Sequence, residues 1–215
     1  RCIVLVTPDG ERSMSTYLGV SADLSAADVD EGMMADTEWL YLEGYRFDGP
    51  DSKDAFAKAI AATKAAGGKV SVTLSDPFCI ERHREDFKRM IKEDIDLLFA
   101  NEHELTALYE VPTVEEAVKA AQAELAMTAC TLGPKGVCVV TPEEVFDVPA
   151  APMPRVDVTG AGDLFAAGFF YGLTHGHGLV KAGQMGCMAA GEVIGHIGAR
   201  PQQDLKALFA EHGLM

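Results

Sequence analysis

At 215 residues, with 48% hydrophobic and 24% charged side chains, the chain has the length and composition of one domain with a full apolar core. A formal net charge of -15 disfavours nucleic acid and anionic membrane as partners, so any phosphate site must be local, built from backbone amides, a metal ion or a few cations. Cys2, Cys79, Cys130, Cys138 and Cys187 are odd in number and lack C-x-x-C spacing, which argues against a disulfide framework or zinc site and for reduced thiols. With no apolar run of membrane length and no signal-peptide pattern, the expectation is a cytoplasmic protein.

In chain order, Cys2 to Val6, then Pro8-Asp9-Gly10, then residues 12–17 predict a hairpin, with Asp-Gly supplying the positive φ angles of a tight turn. Residues 25–34 predict a short helix, with Ser25 and Asp28 suited to its start. From Trp39 the pattern alternates. Strands are expected at 39–42, 69–74 and 95–100, with helices at 51–66 and 80–92 between them. This βαβ succession implies a parallel sheet covered by helices, with ligands beyond the carboxyl ends of the strands. Residues 102–109 and 114–126 predict helices, and residues 128–132, 137–141 and 145–148 short strands. Gly- and Ala-rich helices follow at 163–173 and 179–197, and residues 204–212 predict a last helix. There is no internal repeat, linker or low-complexity segment.

Three stretches carry chemistry. In Asp157-Val158-Thr159-Gly160-Ala161-Gly162-Asp163 the two glycines let the backbone turn sharply and aim successive N–H groups at one point where a helix begins. Such a point attracts an anion, and Asp163 sets beside it a carboxylate able to take a proton from a hydroxyl. A Gly-rich helix start that only permits close packing would use the same residues. Asn101 and Glu104, three apart after a predicted strand, face one side and suit a hydrated magnesium ion; an N-cap with its capping-box partner is the alternative. Thr131-Leu132-Gly133-Pro134-Lys135-Gly136 follows another strand, and a plain hairpin turn would look alike. His83, His103, His175, His177, His196 and His212 show no metal spacing and are expected at the surface or at helix ends.

The segment from Asp157 to Asp163 resembles the D-T-x-G-A-G-D signature of the ribokinase-like (PfkB-type) sugar and nucleoside kinases, with Val158 where Thr is common. The resemblance implies an α/β ribokinase-like fold: a parallel-rich central sheet with helices on both faces, and part of a small β-sheet lid at residues 1–20 preceding the kinase domain at 21–215. Because the chain opens inside an apolar run without Met, the expectation is the C-terminal two-thirds of such a kinase.

By the same resemblance Asp163 is the catalytic base, and the Gly160, Ala161 and Gly162 amides steady the transferring phosphoryl group. Asn101 and Glu104 match the family's N-x-x-E motif for magnesium, with Asn101 also a nucleotide-binding residue. Thr131, Gly133 and Gly136 match its T-x-G-x-x-G turn near the nucleotide phosphates. Cys187 and Gly198 fall at the adenine side, and Asp157 is a candidate for a monovalent cation such as potassium. Leu74-Ser75-Asp76-Pro77-Phe78 and Asp96 to Glu102 look more like adenosine kinases than fructokinases or ribokinases. The implied activity is ATP-dependent phosphorylation of a nucleoside hydroxyl, adenosine to AMP, with a sugar kinase as the alternative. A homodimer through the lid is a further implication. A catalytically silent nucleotide- or partner-binding relative is the reading from another class, against which the joint presence of Asp163 and the Gly-Ala-Gly turn argues.

Overall fold

A computed structural model describes residues 1–215. Six strands, β3 (Trp39–Glu43), β4 (Lys69–Thr73), β5 (Leu97–Asn101), β6 (Thr128–Thr131), β7 (Val137–Val140) and β8 (Val145–Val148), follow one another in the sheet in sequence order; β1 (Cys2–Val6) and β2 (Arg12–Thr16) form a separate antiparallel pair. The chain forms two compact units. One comprises Leu18–Thr131 and Val140–Val145, and the other Arg1–Tyr17, Leu132–Val139 and Phe146–Met215.

In the first of these, β3 to β6 run parallel with Leu42 opposite Val72, Thr73 opposite Phe99 and Asn101 opposite Thr131. Val70, Val72, Leu97 and Leu98 are fully buried, the near-continuous apolar pattern of strands covered on both faces. Each such side chain withdrawn from water stabilises the fold by about 1.5–3 kcal/mol. The connections are α2 (Ser52–Ala65), α3 (Pro77–Asp94), and α4 (Glu102–Tyr109) with α5 (Val114–Glu124). On α2, Ala55, Phe56, Ala59, Ile60 and Thr63 recur at helical spacing and are buried, and Gly67 at φ 84° lets the chain leave the helix.

Several expectations are corrected. The helix expected at 25–34 is two pieces, because the Ser25–Asp28 capping box closes a single 3₁₀ turn, Val29 is extended, and Asp30 then caps α1 (Glu31–Ala35) anew. The helix expected from Ile80 starts at Pro77, where Asp76 accepts the Phe78 N–H and the proline occupies the first turn. Residues 95 and 96 lie outside β5, and Asp96 instead accepts the Val70 N–H.

His83 is not a surface histidine. Its side chain is 19% exposed, at a non-helical φ/ψ of −126°/22° inside α3. Its Nε2 lies 2.8 Å from Asp48, which Arg82 also grips with two N–H groups, while Lys53 lies 3.2 Å from its Nδ1. Cys79 joins Asp48 and His83 within 4.8 Å, but Asp48 is already saturated by Arg82 and a cation already faces His83. The cluster therefore ties α3 to the 3₁₀ turn Gly44–Asp48.

In the other unit, β1 and β2 pair from Cys2 opposite Thr16 to Val6 opposite Arg12. Their connection is a five-residue loop and not a two-residue turn: Thr7 donates to the Glu11 carbonyl, Gly10 donates to the Thr7 carbonyl, and Gly10 alone has positive φ, at 80°. Helices α6 (Ala161–Thr174) and α7 (Leu179–Ile194) pack closely because Gly168 and Gly172 face Met185 and Ala182, with room for no larger side chain. The helix expected at 179–197 stops at Ile194, and α8 (Leu205–Glu211) follows, capped by Asp204. No helix is long and apolar enough to cross a membrane.

Candidate active site

The turn into α6 is built as the sequence suggests. Gly160, at φ 85° and ψ 0°, occupies the N-cap, a left-handed conformation that side chains rarely adopt. A Cβ there would stand 2.9 Å from the Ala199 carbonyl oxygen, so the position combines a backbone requirement with close packing. Upstream, Asp157 is buried, and its carboxylate accepts the Thr159 N–H at 2.9 Å, the Thr159 hydroxyl at 2.6 Å and the Gly198 N–H at 3.0 Å. The Thr159 hydroxyl, and then the Gly198 amide, hold its pKa below the ordinary carboxylate value. Asp157 is thus the brace of the turn. A monovalent cation there would have to share a carboxylate that already accepts three hydrogen bonds.

With that brace set, the first turn of α6 faces outward. The Ala161 N–H meets the Val158 carbonyl at a long 3.3 Å, whereas the Gly160, Gly162 and Asp163 amides take no protein partner. Gly162 has no atom within 4 Å of where a Cβ would stand, so an anion can approach the backbone directly. Asp163 reaches solvent, yet nearby protein excludes enough water to push its pKa above the usual carboxylate value, with Arg12 pulling it back.

Nothing in the sequence marks Arg12, since an exposed arginine in a hairpin looks like any solvated cation. It acts electrostatically on both Asp163 and Asp157. The hairpin loop is joined to the same turn: Val158 donates to the Gly10 carbonyl at 3.2 Å, and Arg155 pairs with Glu11. Replacing Arg12 with Gln removes the cation that lowers the Asp163 pKa, so the acid limb of the kcat/KM profile moves to higher pH in the intact protein. A profile unmoved by Arg12→Gln would show that the two groups are not coupled.

The second group lies at the carboxyl ends of β5 and β6. Asn101 and Glu104 form a closed capping box: the Glu104 N–H donates to Asn101 Oδ1 at 2.9 Å, the Asn101 N–H donates to Glu104 Oε2 at 2.9 Å, and Asn101 Nδ2 donates to Glu104 Oε1 at 2.8 Å. The cap alternative is therefore realised in full, and it does not exclude the metal one. Glu104 is only 6% exposed, and burial pushes its pKa up to about 7, with Asp76 adding to the effect and the Asn101 amide opposing it. A buried carboxylate with a second acid nearby and no cation is a poor structural anion and a good partner for a hard, hydrated cation such as magnesium. Thr131, opposite Asn101 in the ladder, spends its hydroxyl only on a 3.4 Å contact with the Ala100 carbonyl.

The remaining candidates divide by geometry. Gly133, at φ 56°, and Gly198, at φ 105°, are open on the Cβ side, whereas a Cβ on Gly136 would stand 2.0 Å from the Val148 carbonyl oxygen. Gly136 is thus required by packing, and Gly133 and Gly198 are the positions that leave room for a ligand. Cys187 is half-buried in α7 with burial pushing its thiol up to about 11, which makes it a wall and not a nucleophile.

The fold is of the ribokinase-like class. Residues 1–205 match the pfkB family of carbohydrate kinases, and the chain belongs to that family. Among solved structures, a probable sugar kinase from Rhizobium etli CFN 42 is 40% identical with a TM-score of 0.97, over 100% of this chain and 66% of that one. Adenosine kinase from Sinorhizobium meliloti is also 40% identical, with a TM-score of 0.95, over 99% of this chain and 65% of that one. A fructokinase from Klebsiella pneumoniae is 28% identical over 82% of this chain. The chain spans 59% of that relative's length.

Proposed function

We propose that the protein is an ATP-dependent kinase that phosphorylates a primary hydroxyl, the 5′-hydroxyl of a nucleoside such as adenosine. The observation that carries this reading is the juxtaposition at the start of α6 of unpartnered Gly162 and Asp163 amides with a carboxylate whose pKa is raised by desolvation. Asp163 takes the proton from the acceptor hydroxyl as its oxygen attacks the γ-phosphorus and the bond from that phosphorus to the bridging oxygen breaks, so that ADP leaves. The Gly160 and Gly162 amides bind the transferring phosphoryl oxygens, Ala161 joins them if its long bond to Val158 yields, and Arg12 adds positive charge nearby. When bound, magnesium neutralises nucleotide oxygens, and Asn101 and Glu104 are the residues that would hold it, through water. In this reading Asn101, Thr131, Gly133 and Gly136 would contact the phosphate side of a bound nucleotide, and Cys187 and Gly198 its base side. Residues 1–20 serve as a lid segment on the kinase domain at 21–215, and the exposed Ile3, Leu5 and Met14 suit a homodimer through that hairpin. Most of the rate then comes from positioning and electrostatics, since phosphoryl transfer asks little covalent chemistry of the protein.

Nucleoside as acceptor is supported by the Leu74 to Phe78 and Asp96 to Glu102 segments and by the likeness to the Sinorhizobium adenosine kinase. A sugar acceptor is the second reading, favoured by the equal identity to the Rhizobium sugar kinase. Turnover of the intact protein on adenosine, inosine, ribose and fructose separates them: the nucleoside reading expects adenosine or inosine first, and a clear preference for a free sugar overturns it.

A further inference from the structure

Near the end of α7, Glu192 is 3% exposed, and nothing in the chemistry above uses it. A carboxylate withdrawn from water costs several kcal/mol unless its lone pairs are used. Oε1 is used twice, accepting the Gln202 N–H at 2.9 Å and the Gln203 N–H at 3.0 Å, with His196 Nε2 at 3.5 Å. Oε2 has no partner.

The loop these bonds hold is the one that touches the turn into α6. Four residues before Gln202, Gly198 donates its N–H to Asp157, and Ala199 packs its carbonyl oxygen and Cβ against the face of Gly160. On the other side of Glu192, the Ile194 carbonyl accepts the Val156 and Asp157 N–H groups at 2.8 and 3.2 Å. The segment from 194 to 203 is therefore pinned at both ends of its contact with the anion turn: by Ile194 at one, and by Glu192 through two amides at the other.

We infer that Glu192 is a positioning residue for nucleotide binding: its carboxylate holds the 198–203 loop, which in turn fixes Gly198 against Asp157 and Ala199 against Gly160. This rests on the kinase reading above. It goes beyond it in giving a buried acid other than the base control of nucleotide affinity without a part in proton transfer. Charge-assisted acceptors are about twice as strong as neutral ones, which is why a carboxylate, even one with an unused oxygen, holds two amides better than a carbonyl would.

The test uses the intact protein with ATP as ligand. Glu192→Leu keeps approximate volume and removes the acceptor; Gln203→Pro removes one donor from an exposed position and leaves the core untouched; Glu192→Gln keeps an acceptor oxygen. Glu192→Leu is expected to raise ATP Kd and KM by about tenfold with kcat within about threefold, the signature of lost binding and not of lost chemistry. Gln203→Pro should move the same quantities in the same direction, and Glu192→Gln should restore most of the affinity. Amide hydrogen exchange at Gln202 and Gln203 should speed up in Glu192→Leu. Faster exchange with unchanged ATP affinity, or a fall in kcat at constant KM, would overturn the inference and leave the kinase reading standing. Should Glu192→Leu fail to fold, Gln203→Pro decides by the same criteria. Protected amides in a wild-type protein that does not bind ATP would overturn the kinase reading itself, and the inference with it.

Discussion

Replacing Asp163 with Asn is expected to lower kcat by about 10²-fold or more while changing ATP affinity by no more than about tenfold. A substrate hydroxyl is a weak nucleophile at neutral pH, and of the two carboxylates in the turn into α6 Asp157 already accepts three hydrogen bonds, which leaves Asp163 as the one free to take a proton. Asn keeps its size and leaves the Gly160 and Gly162 amides in place, so the anion site survives the loss of the base. The fold should tolerate the change, because Asp163 makes no hydrogen bond that holds the turn; that work belongs to Asp157. Burial raises the Asp163 pKa, so wild-type activity should fall as the solution is acidified through a value above the ordinary carboxylate range. Kcat, ATP Kd and melting temperature measured together separate the outcomes. Near-normal turnover removes Asp163 as the base, and a collapsed fold makes it structural.

The second large effect concerns stability at Glu104. Its folded-state pKa of about 7 lies above the ordinary 4.5, so the folded protein holds this proton more tightly than the unfolded chain does. The favourable contribution is complete below the unfolded value and is lost as pH rises through the folded one. Over that window the wild type should lose on the order of 3 kcal/mol relative to Glu104→Gln, which does not titrate. Gln can still accept the Asn101 N–H, although its amide hydrogens then oppose Asn101 Nδ2, so the variant gains no advantage at low pH. Magnesium should recover part of the wild-type loss at pH 8 and do nothing for the variant, and the variant should need more magnesium for half-maximal rate. Urea unfolding at pH 5 and pH 8, with and without magnesium chloride, reads both effects. Parallel behaviour of the two proteins under all four conditions would reduce Asn101 and Glu104 to a helix cap.

These groups were legible in the sequence to different depths. Gly160, Asp163, Asn101 and Glu104 stand out because the proposed chemistry rests on backbone conformation and short spacing, which a local stretch encodes. The βαβ order was legible for a related reason: the buried parallel strand Leu97–Asn101 announces itself as a short apolar run, and Lys69–Thr73 as a β-branched one. Boundaries were less so. One extended residue, Val29, splits a stretch whose composition suits a helix, and capping by Asp76 extends α3 beyond its apolar pattern. Arg12 and Glu192 were invisible for a different reason. Each acts across long sequence separations, Arg12 on Asp157 and Asp163, Glu192 on Gln202 and Gln203, and nothing local marks a charged residue as buried or coupled. A lone Glu in the apolar run Met185 to Ile194 was the one available hint for the second.

Acceptor-dependent transfer of the γ-phosphoryl group from ATP, followed in the intact protein with magnesium and adenosine, tests the central claim most directly. The account predicts ADP formation only in the presence of an acceptor hydroxyl, a phosphorylated acceptor in equal amount, and loss of both in Asp163→Asn. ATP binding with no phosphorylated product from any nucleoside or sugar would contradict it and leave a nucleotide-binding member of the fold in its place.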